Sequence, residues 1–166
     1  MPTSTPVPST YVVAVGSNRP GRHGDPRAEV AAALDRLDGL ASPILWSAPL
    51  GPSSRTFANA VALVRSDRAP PEMLAHLKSV EREFGRRPGR RWGARVMDLD
   101  IVLWSGGSWS SPGLTIPHVA YRERTFVLAP LAAVAPDWRD PLTARSVRHL
   151  LALLQRRRRS ARHVGP

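Results

Sequence analysis

The chain has 166 residues and no cysteine, so it offers neither a disulfide framework nor thiolate chemistry, and its length favours one domain with room for a real core. Lysine and arginine number 24 against 13 acids, and the resulting formal charge of +11 implies anionic partners without separating a nucleotide from RNA or a membrane surface. No apolar run approaches the roughly 18 residues of a membrane span, and the Pro/Ser/Thr-rich start lacks the basic and apolar regions of a secretory signal, so a cytoplasmic protein is expected.

Residues 1–10 read as a disordered extension, 11–155 as the folded domain, and 156–166 as a basic tail carrying Arg156 to Arg159 and Arg162. Tyr11 to Val15 is a short apolar run that predicts a central strand, ending in the tight turn Gly16-Ser17-Asn18. Asp25-Pro26 is an N-cap followed by proline at the first helical position. Val30, Leu34 and Leu37 then extend a helix to about Asp38, with Gly39 as its terminator. Pro43 to Trp46 is a candidate second strand and Asn59 to Arg65 a third. A second helix opens at Pro71, carries Met73, Leu77, Val80 and Phe84 on one face, and stops at Gly85. Asp98 to Trp104 predicts the last sheet strand.

The order β-α-β-β-α-β is the ferredoxin-like arrangement: an α+β fold with an antiparallel sheet and two helices on one face. Further helices at Phe126–Val134 and Ser146–Gln155 are available to cover the other face.

The chemistry concentrates between Gly85 and Leu103. On a strand, Asp98 and Asp100 emerge on one face while Leu99 turns into a core. Two adjacent carboxylates repel unless a cation or proton offsets them. Just upstream, Arg86, Arg87, Arg90, Arg91 and Arg95 are interleaved with Pro88, Gly89 and Gly93, and arginine suits phosphate oxygens because its planar fork binds bidentately. A hard-cation site beside a basic loop suits Mg²⁺-assisted chemistry on a nucleoside triphosphate. Taken singly, each feature is as well explained by a solvated turn or a basic surface; their adjacency argues for a site.

These motifs, collinear over about residues 11 to 136, resemble one family closely: the 6-hydroxymethyl-7,8-dihydropterin pyrophosphokinases of folate biosynthesis. The matching segments are Gly16-Ser17-Asn18, Pro49-Leu50-Gly51-Pro52, Phe57 with Asn59, and Glu81 to Arg86. They continue through Arg91-Trp92-Gly93-Ala94-Arg95, Asp98-Leu99-Asp100-Ile101, Pro117-His118, and Arg124 through Leu128.

The resemblance implies transfer of the pyrophosphoryl unit of ATP to the hydroxymethyl group of the dihydropterin, giving AMP. It also implies two Mg²⁺ ions on Asp98 and Asp100, and charge balance on the triphosphate by Arg86 and Arg95. The pterin set it implies is Phe57 and Phe126 around the ring, Asn59 on its polar edge, and the backbone near Ala48 and Leu50. For the nucleotide it implies Glu81, Arg87, Arg91, Trp92, Ile101, Thr115, His118 and Arg124. Ala94 stands where the family usually has proline, Pro88 near where it often has another arginine, and Phe57 lacks the phenolic hydroxyl often found there.

The expected partners are the two small-molecule substrates, with no membrane, no nucleic acid and a monomeric state. A competing reading, a basic ferredoxin-like nucleic-acid module, lacks the aromatic-glycine pattern of an RNA-binding sheet and leaves the paired carboxylates unexplained. A homologue acting on another hydroxymethylated heterocycle is the third alternative.

Overall fold

The computed structural model describes residues 7–47, 56–85 and 96–163. Tyr11, Val13 and Val15 point to one side of the first strand, β1 (Ser9–Ser17), and Val12 and Ala14 to the other, so the sheet has two apolar faces to cover. After β1 come α1 (Pro26–Leu37), β2 (Leu40–Ala41), β3 (Leu45–Ser47), β4 (Phe57–Ser66), α2 (Pro70–Glu83) and β5 (Asp98–Trp104). The chain continues through the hairpin strands β6 (Trp109–Ser111) and β7 (Leu114–Ile116), a 3-10 turn at Tyr121–Glu123, α3 (Thr125–Val134) and α4 (Val147–Arg162).

The sheet runs β2-β4-β1-β5, with β3 also on β4, and every pairing is antiparallel. This is the expected ferredoxin-like arrangement, with one difference on the outer side of β4. The strand predicted at Pro43–Trp46 is β3, which starts only at Leu45, and a further short strand, β2, precedes it; Pro43, with no N–H to give a ladder, lies in the gap between them. Ser42 bridges the gap. Its N–H donates to Val61 O at 2.9 Å, and its Oγ accepts from Val61 N at 2.9 Å.

One core lies between the sheet and the α1/α2 layer, where Val30, Leu34, Met73, Leu77 and Val80 meet Tyr11, Val13, Leu99 and Ile101. The second lies under α3 and α4, where Leu128, Leu131, Val147, Leu150 and Leu154 meet Val12, Val61, Val102 and Leu103. The face left open by the two sheet helices is therefore covered by the two C-terminal ones. A bulge lets β5 serve both cores: Val12 pairs with Leu103 but Val13 with Ile101, leaving Val102 without an opposite number. Val102 and Leu103 consequently both enter the second core, and Trp104 returns to stack on Tyr11 at a ring-centroid distance of 6.3 Å.

Local signals account for most boundaries. Asp25 Oδ1 accepts Ala28 N at 2.9 Å ahead of Pro26, the N-cap the residues predict. At the other end of α1 the left-handed position is taken by Asp38 (φ 53), not Gly39. Gly39 is needed for room instead, since a Cβ there would stand 2.3 Å from Leu63 O. The β6–β7 hairpin was not anticipated; Trp109 sets it by packing edge-on against Trp104 at 6.0 Å. α4 runs on to Arg162, two turns past the predicted end, so the arginine run through Arg159 is helical. Among the described residues no helix is long and apolar enough to cross a membrane.

Candidate functional site

Alternation on β1, β4 and β5 decides what the sheet presents towards α3. Gly16 pairs with Asn59 on one side and with Asp98 on the other, so a residue without a side chain sits between an amide and a carboxylate. Asp100 lies beside Ala14 on the same face. Small residues on the central strand thus leave a hollow of about 150 Å³ that larger ones would fill, lined by Ala14, Gly16, Ser47, Phe57, Asn59, Asp98, Asp100, Arg124 and Phe126.

The walls are held by specific bonds. Asn59 is buried, and its Nδ2 donates to Ser47 Oγ at 2.6 Å and to Phe57 O at 3.3 Å, which orients the amide with Oδ1 towards Gly16. Phe57 begins β4 and Phe126 lies in the first turn of α3, so the two aromatics reach the hollow from the sheet and from the covering layer. The Arg124 guanidinium lies 5.6 Å from the centre of the Phe126 ring, a cation–π contact that keeps positive charge at the rim. Burial, reinforced by the neighbouring Asp98 charge, pushes the Asp100 carboxyl up to about 6. Oxygen donors under this mutual repulsion suit a hard divalent cation. Among the described residues there is no cluster of three metal-ligating side chains.

A second set of residues follows the outer edge of β5, the last strand of the sheet. Glu81 reaches it from α2, fully buried, and its Oε1 accepts Leu99 N at 2.9 Å. His118 N donates to Val102 O at 2.9 Å, three residues further along the same edge. Ile101 lies between them in the α1/α2 core, and Thr115 sits exposed on β7, which packs against β5. His118 Nδ1 accepts Ala120 N at 3.1 Å, and burial, with Arg124 adding to it, holds its imidazole below the ordinary range. Glu81, Ile101, Thr115 and His118 are therefore grouped along an edge, whereas Phe57, Asn59 and Phe126 surround the hollow on the face. Asp98 and Asp100 stand where edge and face meet.

Ala48, Leu50, Arg86, Arg87, Arg91, Trp92 and Arg95 lie outside the described residues. Ser47 was missed from the sequence. Its place opposite Phe57 comes from the β3–β4 register, and a serine before an alanine and a proline carries no mark of it. Tyr121, Arg122 and Asp140 also went unnoticed. Tyr121 OH and Arg122 Nε both donate to the buried Asp140 Oδ2 at 2.5 Å, tying the turn before Arg124 to the loop before α4.

The family model described as 7,8-dihydro-6-hydroxymethylpterin-pyrophosphokinase matches residues 12–136. The chain is 41% identical over 150 residues to 2-amino-4-hydroxy-6-hydroxymethyldihydropteridine pyrophosphokinase of Pseudomonas aeruginosa, covering 86% of this chain and 88% of the relative. Its likeness to the Haemophilus influenzae protein of the same name is 36% over 136 residues, covering 77% of this chain and 82% of the relative. Among solved structures, the wild-type HPPK-DHPS of Plasmodium falciparum superposes with a TM-score of 0.76 over 98% of this chain and 44% of the longer one. At 12% identity that likeness speaks for the fold alone.

Proposed function

Because the chain belongs to the 7,8-dihydro-6-hydroxymethylpterin-pyrophosphokinase family, we propose that the hollow on its sheet is the seat of that family's reaction, with pterin on the face and nucleotide along the edge. The protein carries out the pyrophosphokinase step of folate biosynthesis, with ATP as co-substrate: the pyrophosphoryl unit passes to the hydroxymethyl group of 6-hydroxymethyl-7,8-dihydropterin and AMP is released. The observation that carries the placement is the position of Asp98 and Asp100, which line the hollow bounded by Phe57, Asn59 and Phe126 and also begin the strand whose outer edge carries Glu81 and His118.

In this reading Phe57 and Phe126 flank the pterin ring, a flat heteroaromatic that stacks between aromatic faces. Asn59, with its Nδ2 engaged by Ser47 and Phe57, turns Oδ1 to accept from the pterin's N–H edge. The backbone at Ala48 and Leu50 completes recognition of that edge. Asp98 and Asp100 hold two Mg²⁺ ions, which when bound supply Lewis-acid polarisation of phosphate oxygens and offset their charge. Ile101, Thr115, His118 and Arg124 take the nucleotide with Arg87, Arg91 and Trp92. Glu81 serves that side by holding the Leu99 peptide between the two aspartates. Arg86 and Arg95 balance charge on the triphosphate as the bond to the α-phosphate breaks. Positioning and electrostatics dominate, as in phosphoryl transfer generally.

A monomer is the state expected for a reaction on two small molecules. Two carboxylates on the binding face argue for small molecules with bound metal rather than nucleic acid, and the cytoplasm is the expected compartment. The test is AMP formation from ATP and Mg²⁺ with and without 6-hydroxymethyl-7,8-dihydropterin, with the product identified by mass. Pterin-dependent AMP that disappears in Asp98→Ala, with the fold intact by circular dichroism, is the expected result; unchanged turnover in that variant refutes the metal assignment.

A further inference from the structure

Glu29 is completely buried at the start of α1, yet takes no part in the hollow. Its carboxylate faces the loop that follows β1: Oε1 accepts His23 N at 2.6 Å, and Oε2 lies 2.9 Å from His23 Nδ1. The loop is closed on itself, with Gly21 N donating to Gly24 O at 3.0 Å and Gly24 N to Gly21 O at 3.2 Å. It is also wedged, because a Cβ on Gly21 would stand 2.6 Å from both Glu29 Oε1 and Val96 Cγ1. The His23 ring in turn packs against Phe84, with centroids 5.0 Å apart.

Phe84 and Val96 flank the arginine-bearing segment, and Val96 stands two residues before Asp98. A single closed loop, clamped from below by one carboxylate, therefore touches the chain just before that segment and just after it. A buried charge is a poor source of stability, since an apolar side chain of similar volume commonly does as well. Burying one in the first turn of α1, where the helix dipole favours it, makes sense by what it holds in place.

We propose that Glu29, acting through His23 and the Gly21 backbone, is a positioning residue for the pyrophosphoryl transfer: it sets where Phe84 and Val96 sit, and hence how Asp98, two residues beyond Val96, is presented to the triphosphate. The inference rests on the site assignment above. It adds a device outside the residues that line the hollow. Its loss misplaces reacting groups without removing any of them, so it acts on turnover and spares recognition of the pterin.

The test is steady-state kinetics on the full chain with His23→Ala, His23→Phe and Glu29→Gln. His23 is a surface residue, so its variants fold even if Glu29 variants do not. The expected result for His23→Ala is a kcat lowered about tenfold with the pterin KM within about twofold of the parent, the scale set by displacing reacting groups by less than about 1 Å. Glu29→Gln, which keeps an acceptor for His23 N–H, recovers most of the turnover, and His23→Phe, which keeps only the ring on Phe84, recovers part. A His23→Ala protein with a lower Tm and unchanged kcat overturns the proposal, as does a rise confined to the pterin KM. A parent protein that forms no AMP in the presence of the pterin overturns instead the site assignment on which the proposal rests.

Discussion

Glu81 Oε1 accepts the backbone N–H of Leu99, the residue that separates Asp98 from Asp100, at 2.9 Å. A buried acid on a helix thus fixes the peptide between two other acids on a strand. Glu81→Ala leaves the Leu99 N–H without that acceptor and is expected to cost about 1–3 kcal/mol in urea unfolding, together with weaker Mg²⁺ binding. Glu81→Gln keeps an acceptor and should retain most of both. Equal losses in the two variants would show that the charge, not the bond, matters.

Metal binding to this pair should depend on pH in a defined direction. Burial first, then the Asp98 charge, raises the Asp100 carboxyl to about 6 in the metal-free protein, above the unfolded value of about 3.9. Between these values the folded state holds the extra proton, so this group's contribution to stability is present below about pH 4 and is lost as pH rises through about 6. Mg²⁺ must displace that proton below about pH 6 and meets none above it. Calorimetric Mg²⁺ affinity should fall about tenfold from pH 7 to pH 5 and stay nearly flat above pH 7. Affinity that is constant from pH 5 to pH 8 contradicts the assignment.

Asp140 has the opposite sign. Burial pushes its carboxyl up, but the bonds from Arg122, Tyr121 and the Leu142 N–H outweigh this and hold it down at about 2. Its contribution to stability is therefore complete above about pH 4 and is lost as pH falls through 2. Asp140→Ala should destabilise by roughly 3–5 kcal/mol at pH 7, the usual result of breaking a buried pair, and by much less near pH 2. Because the cluster braces the turn that carries Arg124, the ATP KM should rise in the same variant.

Gly16→Ala tests the hollow itself. The added methyl would lie 3.3 Å from Asn59 Oδ1 and 3.7 Å from Phe57 Cδ1, inside the space given to the pterin. The expected outcome is a pterin KM raised about tenfold with a nearly unchanged Tm, read by kinetics and thermal unfolding; about 1.4 kcal/mol of lost binding suffices. Phe126→Ala should act in the same direction by removing a stacking face.

The alternation at Asp98-Leu99-Asp100 was legible because a strand has a period of two, and the structure places both carboxylates on one face with Leu99 in the core. The Asp25 cap and both sheet helices were legible from local chemistry for the same reason. Glu29 and Asp140 were not. Each reads as an ordinary solvated acid until the fold brings His23, or Tyr121 and Arg122, against it. Ser47 depended on a register set by β4, and the hairpin after Trp104 on the packing of two tryptophans. What lay within a few residues could be read; what depended on which strand lies beside which could not.

The extra residue that β5 inserts at Val102 makes the length of this strand as constrained as its composition. Up to Ile101 the strand sends its acids to one side and its aliphatic residues to the other; after Val102 the parity reverses. Removing one residue between Leu99 and Leu103 would press the acids into the α1/α2 layer or drive Trp104 out of its stack on Tyr11. The hairpin that follows can change length at its turn without disturbing either core. Drift in this protein should therefore show itself as substitution along β5 and as insertion or deletion only beyond Trp104.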